Sequence, residues 1–358
     1  MGLTSSQKQA IDYFTACALK HKAEAKATIH HVLDMSNISG EVFEQAVHHI
    51  KSNARIGLHF HPDRPVSITK NVAESLLDHG EYKSQFETLI SNGKVSPHPG
   101  GDRDMWEEKM FGGAYQVEST SMSERPKYGA LNLMLHPDGP SPRFGSCYFL
   151  LSPSVSSRST FTYMDSHQNP FEKGTYQEFD MILAGLLEEM FLRDFALGEK
   201  DLTPTRFLQH VWNHLEYGRK ERVAHRNLNH YIESQIHGPI SLKEDVEVLV
   251  ADPSFKDTKV GDTLEEMSSK YAIDLQWHMG FVLHVKDVPS DFRGPSMPSL
   301  AKRIAYKDRI DAHTIGSAVM SLKRDWDSWS DRGTYEEVLQ ELKLLWHVLV
   351  KYGRPLGK

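Results

Sequence analysis

Two imidazoles and a guanidinium fall within six residues, in Leu58-His59-Phe60-His61-Pro62-Asp63-Arg64. Apolar and polar residues alternate at period two, so His59 and His61 share one face of a strand over 55–61. Pro62 stops the ladder and Arg64 follows. Polar groups of this kind are costly to bury without a partner. Either a metal ion or an anionic ligand would repay them. A second candidate is Tyr231-Ile232-Glu233-Ser234-Gln235-Ile236. As a strand it sets Tyr231, Glu233 and Gln235 on one face, and a carboxylate among apolar neighbours needs a partner or a role. Arg125 and Arg143 each stand before an expected strand, a position suited to bidentate contact with phosphate. Gln85–Gly93 adds amide and hydroxyl groups beside an Asn92-Gly93 turn.

The elements that must position these residues follow from periodicity and punctuation. Helices are expected over 6–33, 40–52, 71–79 (closed by Gly80), much of 175–228, 262–272 and 313–352. Strands are expected over 55–61, Tyr82–Ser91, Tyr128–Leu135, Gly145–Leu151, Thr160–Tyr163, Tyr231–Ile236 and Leu275–Val285, with mixed character over Ile240–Val250. The segment 94–126 reads as loop, because Pro97, Pro99, Gly100, Gly101, Gly112 and Gly113 punctuate it. The strands at 128–135, 145–151 and 160–163 read as an antiparallel meander. No repeat is evident. The class is α+β: an antiparallel sheet with helices before, within and after it.

The 358 residues allow one large core or two ordinary domains, and 39% apolar with 25% charged residues suits a globular chain. A net charge of −7 argues against non-specific nucleic-acid binding. No apolar run approaches the ~18 residues of a transmembrane helix, and the N-terminus has no signal-peptide pattern. Two cysteines, Cys17 and Cys147, exclude a disulfide scaffold and suit a reducing compartment. The opening Met1-Gly2-Leu3-Thr4-Ser5-Ser6 matches a loose myristoylation pattern, but a capping box at Ser6 and Gln9 explains it as well. Dinucleotide-fold, P-loop, nucleophile-elbow and H-E-x-x-H motifs are all missing.

Five stretches occur in an order that resembles a bacterial family of unassigned function: Phe60–Arg64 (FHPDR), Gln85–Gly93 (QFET-x-I-SNG), Arg125–Leu131 (RPKYGAL), Pro142–Phe149 (PRFGSCYF) and Tyr231–Gly238 (YIE-x-Q-x-HG). That family in turn resembles divergent mono-ADP-ribosyltransferases, which place His or Arg on the first strand, Ser/Thr on the second and Glu near the last strands. The resemblance implies a split antiparallel sheet in a catalytic domain over 55–295, with a helical insertion near 175–228. Helical segments at 1–54 and 296–358 flank that domain. It implies NAD as substrate, transfer of ADP-ribose to a protein or other acceptor, and Glu233, Arg64, His61 and Ser91 as catalytic residues. His59, Thr88, Asn92, Gly93, Arg125, Tyr128, Arg143, Ser146 and Gln235 would contact NAD. Two departures stand out: no Ser-Thr-Ser triplet lies at 88–91, and Tyr231 occupies the place of a second acid, which leaves the acceptor open. The expected setting is the cytoplasm, or delivery into another cell as an effector or toxin.

Two other readings compete. His59-x-His61 with His225, His230, Glu233 and His237, and Asp165 as base, could make a metal-dependent hydrolase. A non-catalytic NAD-binding protein is the third.

Overall fold

The computed structural model describes residues 2–90, 97–215 and 225–356. The chain opens with three helices, α1 (Ser5–Lys20), α2 (Lys22–Met35) and α3 (Gly40–Asn53), then enters β1 (Ile56–Phe60). Next come α4 (Val72–His79), α5 (Gln85–Thr88), α6 (Asp102–Phe111) and β2 (Lys127–Leu131). After these lie β3 (Cys147–Leu151), β4 (Ser159–Tyr163), β5 (Lys173–Thr175) and α7 (Asp180–Arg193). A two-residue hairpin, β6 (Phe195–Ala196) and β7 (Glu199–Lys200), precedes α8 (Pro204–His214). Then follow β8 (Ile232–Ile236), α9 (Leu242–Asp245), β9 (Val246–Ala251), α10 (Lys259–Tyr271) and β10 (Asp274–Trp277). The chain closes with β11 (Leu283–His284), α11 (Met297–Ile304), β12 (Arg309–Ile310), α12 (Ala312–Arg324) and α13 (Tyr335–Tyr352).

Eight strands form one mixed sheet in the order β10-β9-β3-β1-β2-β8-β4-β5. All neighbours are antiparallel except β9 and β10, which are parallel. The α+β class holds, but the expected meander does not. β1 lies between β2 and β3, and β8 lies between β2 and β4. The physical reason is the length of the intervening segments: short turns force neighbouring strands to pair, whereas 132–146 is long enough to let β1 enter the gap.

Other elements also differ from expectation. Tyr82–Ser91 is not a strand. Ser84 caps α5, Glu87 completes a capping box, and Leu89 ends the helix at φ 55°. Within the expected loop 94–126, α6 forms between Gly101 and the left-handed Gly112. Its run Asp-Arg-Asp-Met-Trp-Glu-Glu-Lys has no regular apolar stripe, so periodicity gives no warning of it. Strand 128–135 ends at Leu131, and Leu135 already has φ 52°. Leu275–Val285 divides into β10 and β11, with Gly280 at φ 68° between them.

Register sorts the sheet into two faces. His59 pairs with Tyr148, Gly57 with Ala130, Ala130 with Glu233, Tyr128 with Gln235, and Thr162 with Glu233. Paired residues share a face, so His59, Tyr128, Glu233, Gln235, Thr160 and Thr162 all project from one side. The other side presents Leu58, Phe60, Phe149, Leu151, Ile232, Ile236 and Phe161. These join α2, α7, α10, α12 and α13 in a core that runs from Ala18 to Val350. A smaller cluster, Ala10, Phe14, Met110, Phe111, Ala114 and Tyr115, seats α6 against α1. Among the described residues, no helix is long and apolar enough to cross a membrane.

Candidate active site

The polar face of the sheet floors a cleft of ≈ 280 Å³ whose walls come from β1, β2, β8, α6 and α13. Glu233 lies on its floor and is only 6% exposed. Its Oε1 accepts from the Ser166 hydroxyl and from Gln235 Nε2 at 3.0 Å. Its Oε2 has no hydrogen-bond partner among the described residues. Burial, reinforced by the nearby Asp165 carboxylate, raises its pKa from 4.5 to about 7, against the pull of those two hydrogen bonds. A carboxyl group poised near neutrality in a cleft is suited to chemistry.

Behind Glu233 runs an ordered chain of donors. The Tyr115 hydroxyl lies 2.5 Å from His237 Nδ1, and His237 Nε2 lies 3.1 Å from Thr160 Oγ1. Thr160 Oγ1 donates to Gln235 Oε1 at 2.8 Å. That bond leaves Thr160 as acceptor, so His237 donates from Nε2 and receives from Tyr115. The amide of Gln235 is thereby oriented with its NH₂ toward Glu233. His237 is buried and its pKa falls to about 3, so the ring stays neutral.

On the other side of Glu233, the loop 164–169 supplies Asp165 and Ser166. Met164, at φ 77°, is a non-glycine residue in left-handed backbone. The Asp165 carboxylate forms an ion pair with Arg143, which also donates to Tyr231 Oη at 3.0 Å and to Asn229. Trp106 Nε1 ties the loop to α6 through the Ser166 carbonyl at 2.9 Å.

His59 lies in the same cleft, but both ring nitrogens are engaged. Nδ1 lies 3.1 Å from the Gly145 carbonyl, and Nε2 accepts from Ser141 N–H at 3.3 Å. The ring stacks on Tyr148 at 4.9 Å, and burial lowers its pKa to about 3. It therefore acts as a neutral wall. His61 and Arg64 line an adjoining pocket of ≈ 80 Å³, which shares Tyr82, Gln85 and Tyr128 with the cleft. His61 is edge-on to Trp346 at 5.1 Å. The expected cluster at 59–64 is thus divided: Pro62 turns the chain, and only His59 faces Glu233. Asp63 is buried against α12, and burial raises its pKa to about 7.

The remaining expected contacts separate as follows. Tyr128 lines both spaces and donates to Glu107 Oε1 at 2.6 Å. Thr88 lines the smaller pocket, where its hydroxyl donates to the Ser84 carbonyl at 3.1 Å. Gln235 acts on Glu233 and does not line the cleft. Arg125 is closed off in buried ion pairs with Glu107 at 3.0 Å and Asp104 at 2.5 Å. Ser146 is buried behind β3 and lines neither space. Ser91, Asn92 and Gly93 lie outside the described residues.

Sequence reasoning missed Arg103, Trp106, His167, Arg293, Lys343 and His347, all of which line the cleft. Arg103 and Trp106 sit on the unforeseen α6; Lys343 and His347 sit on α13, within the helix expected over 313–352. Burial lowers Lys343 to about 8 and His347 to about 3. The lining therefore holds Arg103, Arg143, Arg293 and Lys343 against Asp165 and Glu233, a balance that attracts anions.

The residues proposed for a metal centre do not converge. His237 is bound to Tyr115 and Thr160, His230 lies 3.7 Å from Glu189, and His225 packs on Tyr352 at 5.5 Å. Among the described residues, no three His, Cys, Asp or Glu side chains are grouped to hold a metal ion.

No curated protein matches the chain. A family model described as a protein of unknown function, DUF3626, matches residues 55–352. That span takes in β1, β2, β8 and α13, and the chain belongs to this uncharacterised family.

Proposed function

We propose that this chain cleaves NAD at the nicotinamide–ribose bond and transfers ADP-ribose to a protein or other acceptor. One observation carries the reading: a buried glutamate with an uncommitted oxygen, titrating near neutrality, on the floor of a cation-lined cleft that His59 also lines. The sheet order supports it as well. The first strand is flanked by β2 and β3, and the glutamate strand β8 adjoins β2. That order fits the imidazole and glutamate positions of the ADP-ribosyltransferase resemblance. The split antiparallel sheet of that family is the fold reading we attach to it.

In the reaction the C1′–N bond breaks and its electron pair leaves with neutral nicotinamide. Positive charge grows on the ribose, as in glycoside cleavage. Oε2 of ionised Glu233 faces that charge and accepts the 2′-hydroxyl. Ser166 and Gln235 hold Oε1 so that the carboxylate does not swing away. A fixed group aimed at developing charge is typically worth about 3 kcal/mol, or ~10²-fold in rate. An acceptor nucleophile, or water, then attacks C1′ and passes its proton to solvent water at the cleft.

Incubation with NAD carrying distinct labels in the nicotinamide and adenylate halves, alone and with cell extract, tests the proposal. Release of nicotinamide by the unaltered chain, reduced at least ~10²-fold in Glu233→Gln, is the expected result. Equal turnover in Glu233→Gln refutes the role of Glu233. Calorimetric NAD binding without turnover in any extract replaces the enzyme with a non-catalytic NAD-binding protein.

A further inference from the structure

The arginines expected at the phosphates or at the catalytic centre are spoken for or displaced. Arg125 is sealed in ion pairs with Glu107 and Asp104, Arg143 serves Asp165, Asn229 and Tyr231, and Arg64 lies in the adjoining pocket. Two other guanidinium groups in the cleft are not. Arg103 is 7% exposed and makes no hydrogen bond to a described residue. Its nearest carboxylate oxygen, Glu107 Oε1, is 3.9 Å from Nη1. That glutamate already receives Arg125 and Tyr128. The guanidinium lies 4.7 Å from the Trp106 ring and 5.0 Å from the Tyr128 ring, which fixes its plane. Arg293 lines the same cleft, has a buried Nε without a partner, and forms no ion pair with a described residue. A buried cationic donor left unbonded costs a substantial part of its desolvation energy. A ligand oxygen that reaches it recovers that cost.

We propose that Arg103 and Arg293 form the anion clamp of the cleft and take the pyrophosphate of a nucleotide ligand, with Trp106 and Tyr128 holding Arg103 in place. The nucleotide part of this assignment rests on the NAD reading above; the clamp itself rests on two guanidiniums without a hydrogen bond to any described residue. Planar, forked donors suit phosphate oxygens better than an ammonium does. The clamp therefore discriminates by phosphate content, and a ligand without phosphate gains nothing from it.

Titration calorimetry of the full chain with ADP-ribose, inorganic pyrophosphate and adenosine tests the clamp, using Arg103→Gln, Arg103→Lys and Arg293→Gln. Both Gln variants are expected to lose affinity for ADP-ribose and pyrophosphate on the order of 10–100-fold, with Arg103→Lys recovering only part of it and adenosine unaffected. Failure of the unaltered chain to bind pyrophosphate or ADP-ribose overturns the clamp, as does undiminished ADP-ribose affinity in a folded Gln variant. Circular dichroism checks folding. If Arg103→Gln does not fold, the half-buried Arg293→Gln decides by the same criterion. The two proposals fail separately. A chain that binds pyrophosphate through these arginines but never releases nicotinamide keeps the clamp and loses the NAD reaction. NAD turnover with arginine-independent affinity does the reverse.

Discussion

Glu233→Gln should make the protein more stable above neutrality while removing its proposed activity. The substitution keeps the shape, and both donors to Oε1, Ser166 and Gln235, can still be accepted by an amide oxygen. It removes the ability to ionise. In the unfolded chain the carboxyl loses its proton near 4.5; in the folded chain it does so at about 7. The folded state therefore holds the extra proton between those values. Stability attributable to this group is fully present below 4.5 and is lost as pH rises through about 7. With each pH unit worth about 1.4 kcal/mol, the loss at pH 8 comes to about 3 kcal/mol, and at pH 4.5 to under ~0.5 kcal/mol. Urea denaturation of both proteins at pH 4.5, 6, 7 and 8 measures it. The variant should match the parent at the lowest pH and exceed it by about 3 kcal/mol at the highest. A stability difference that does not change with pH would refute the claim that Glu233 is a strained, near-neutral acid, and the mechanism built on it.

Other outcomes follow from the same contacts. Asp165→Asn removes the like charge beside Glu233 and frees Arg143, so the pH at which NAD turnover rises should fall below about 7; a pH–rate profile reads this directly. Arg125→Gln leaves Asp104 without its cation and the fully buried Glu107 with only Arg103, 3.9 Å away. It should cost about 3–5 kcal/mol in urea denaturation. Gly316→Ala, within α12, drives a methyl group into Asp63 Oδ2. Asp63 must move, and a loss of at least about 2 kcal/mol is expected, visible as a lowered melting temperature.

The sequence carried the residues of the site better than their arrangement. Period-two alternation located β1 and β8, and those two strands hold His59 and Glu233 on one face. The reading over 59–64 failed because strand periodicity was carried one residue past Phe60 into His61, where the chain already turns. Arg125 was expected to contact phosphate because its partners, Asp104 and Glu107, belong to a helix without an apolar stripe. Missing α6 also hid Arg103 and Trp106. The contribution of α13 was invisible for a different reason: Lys343 and His347 are far from β1 in sequence, and only tertiary packing brings them over the cleft. Strand order likewise follows from long connections that local patterns do not encode.

The donor chain ending at Glu233 has a consequence for proton traffic. An amide such as Gln235 can orient a carboxylate but hands no proton on, and the neutral ring of His237 resists taking one up. Exchange at Glu233 therefore does not run along this chain and is left to the mouth of the cleft and the Ser166 hydroxyl. A ligand that plugs that mouth traps whichever charge state it met on arrival. The acidity of the solution then governs which encounters are productive, not what happens during them.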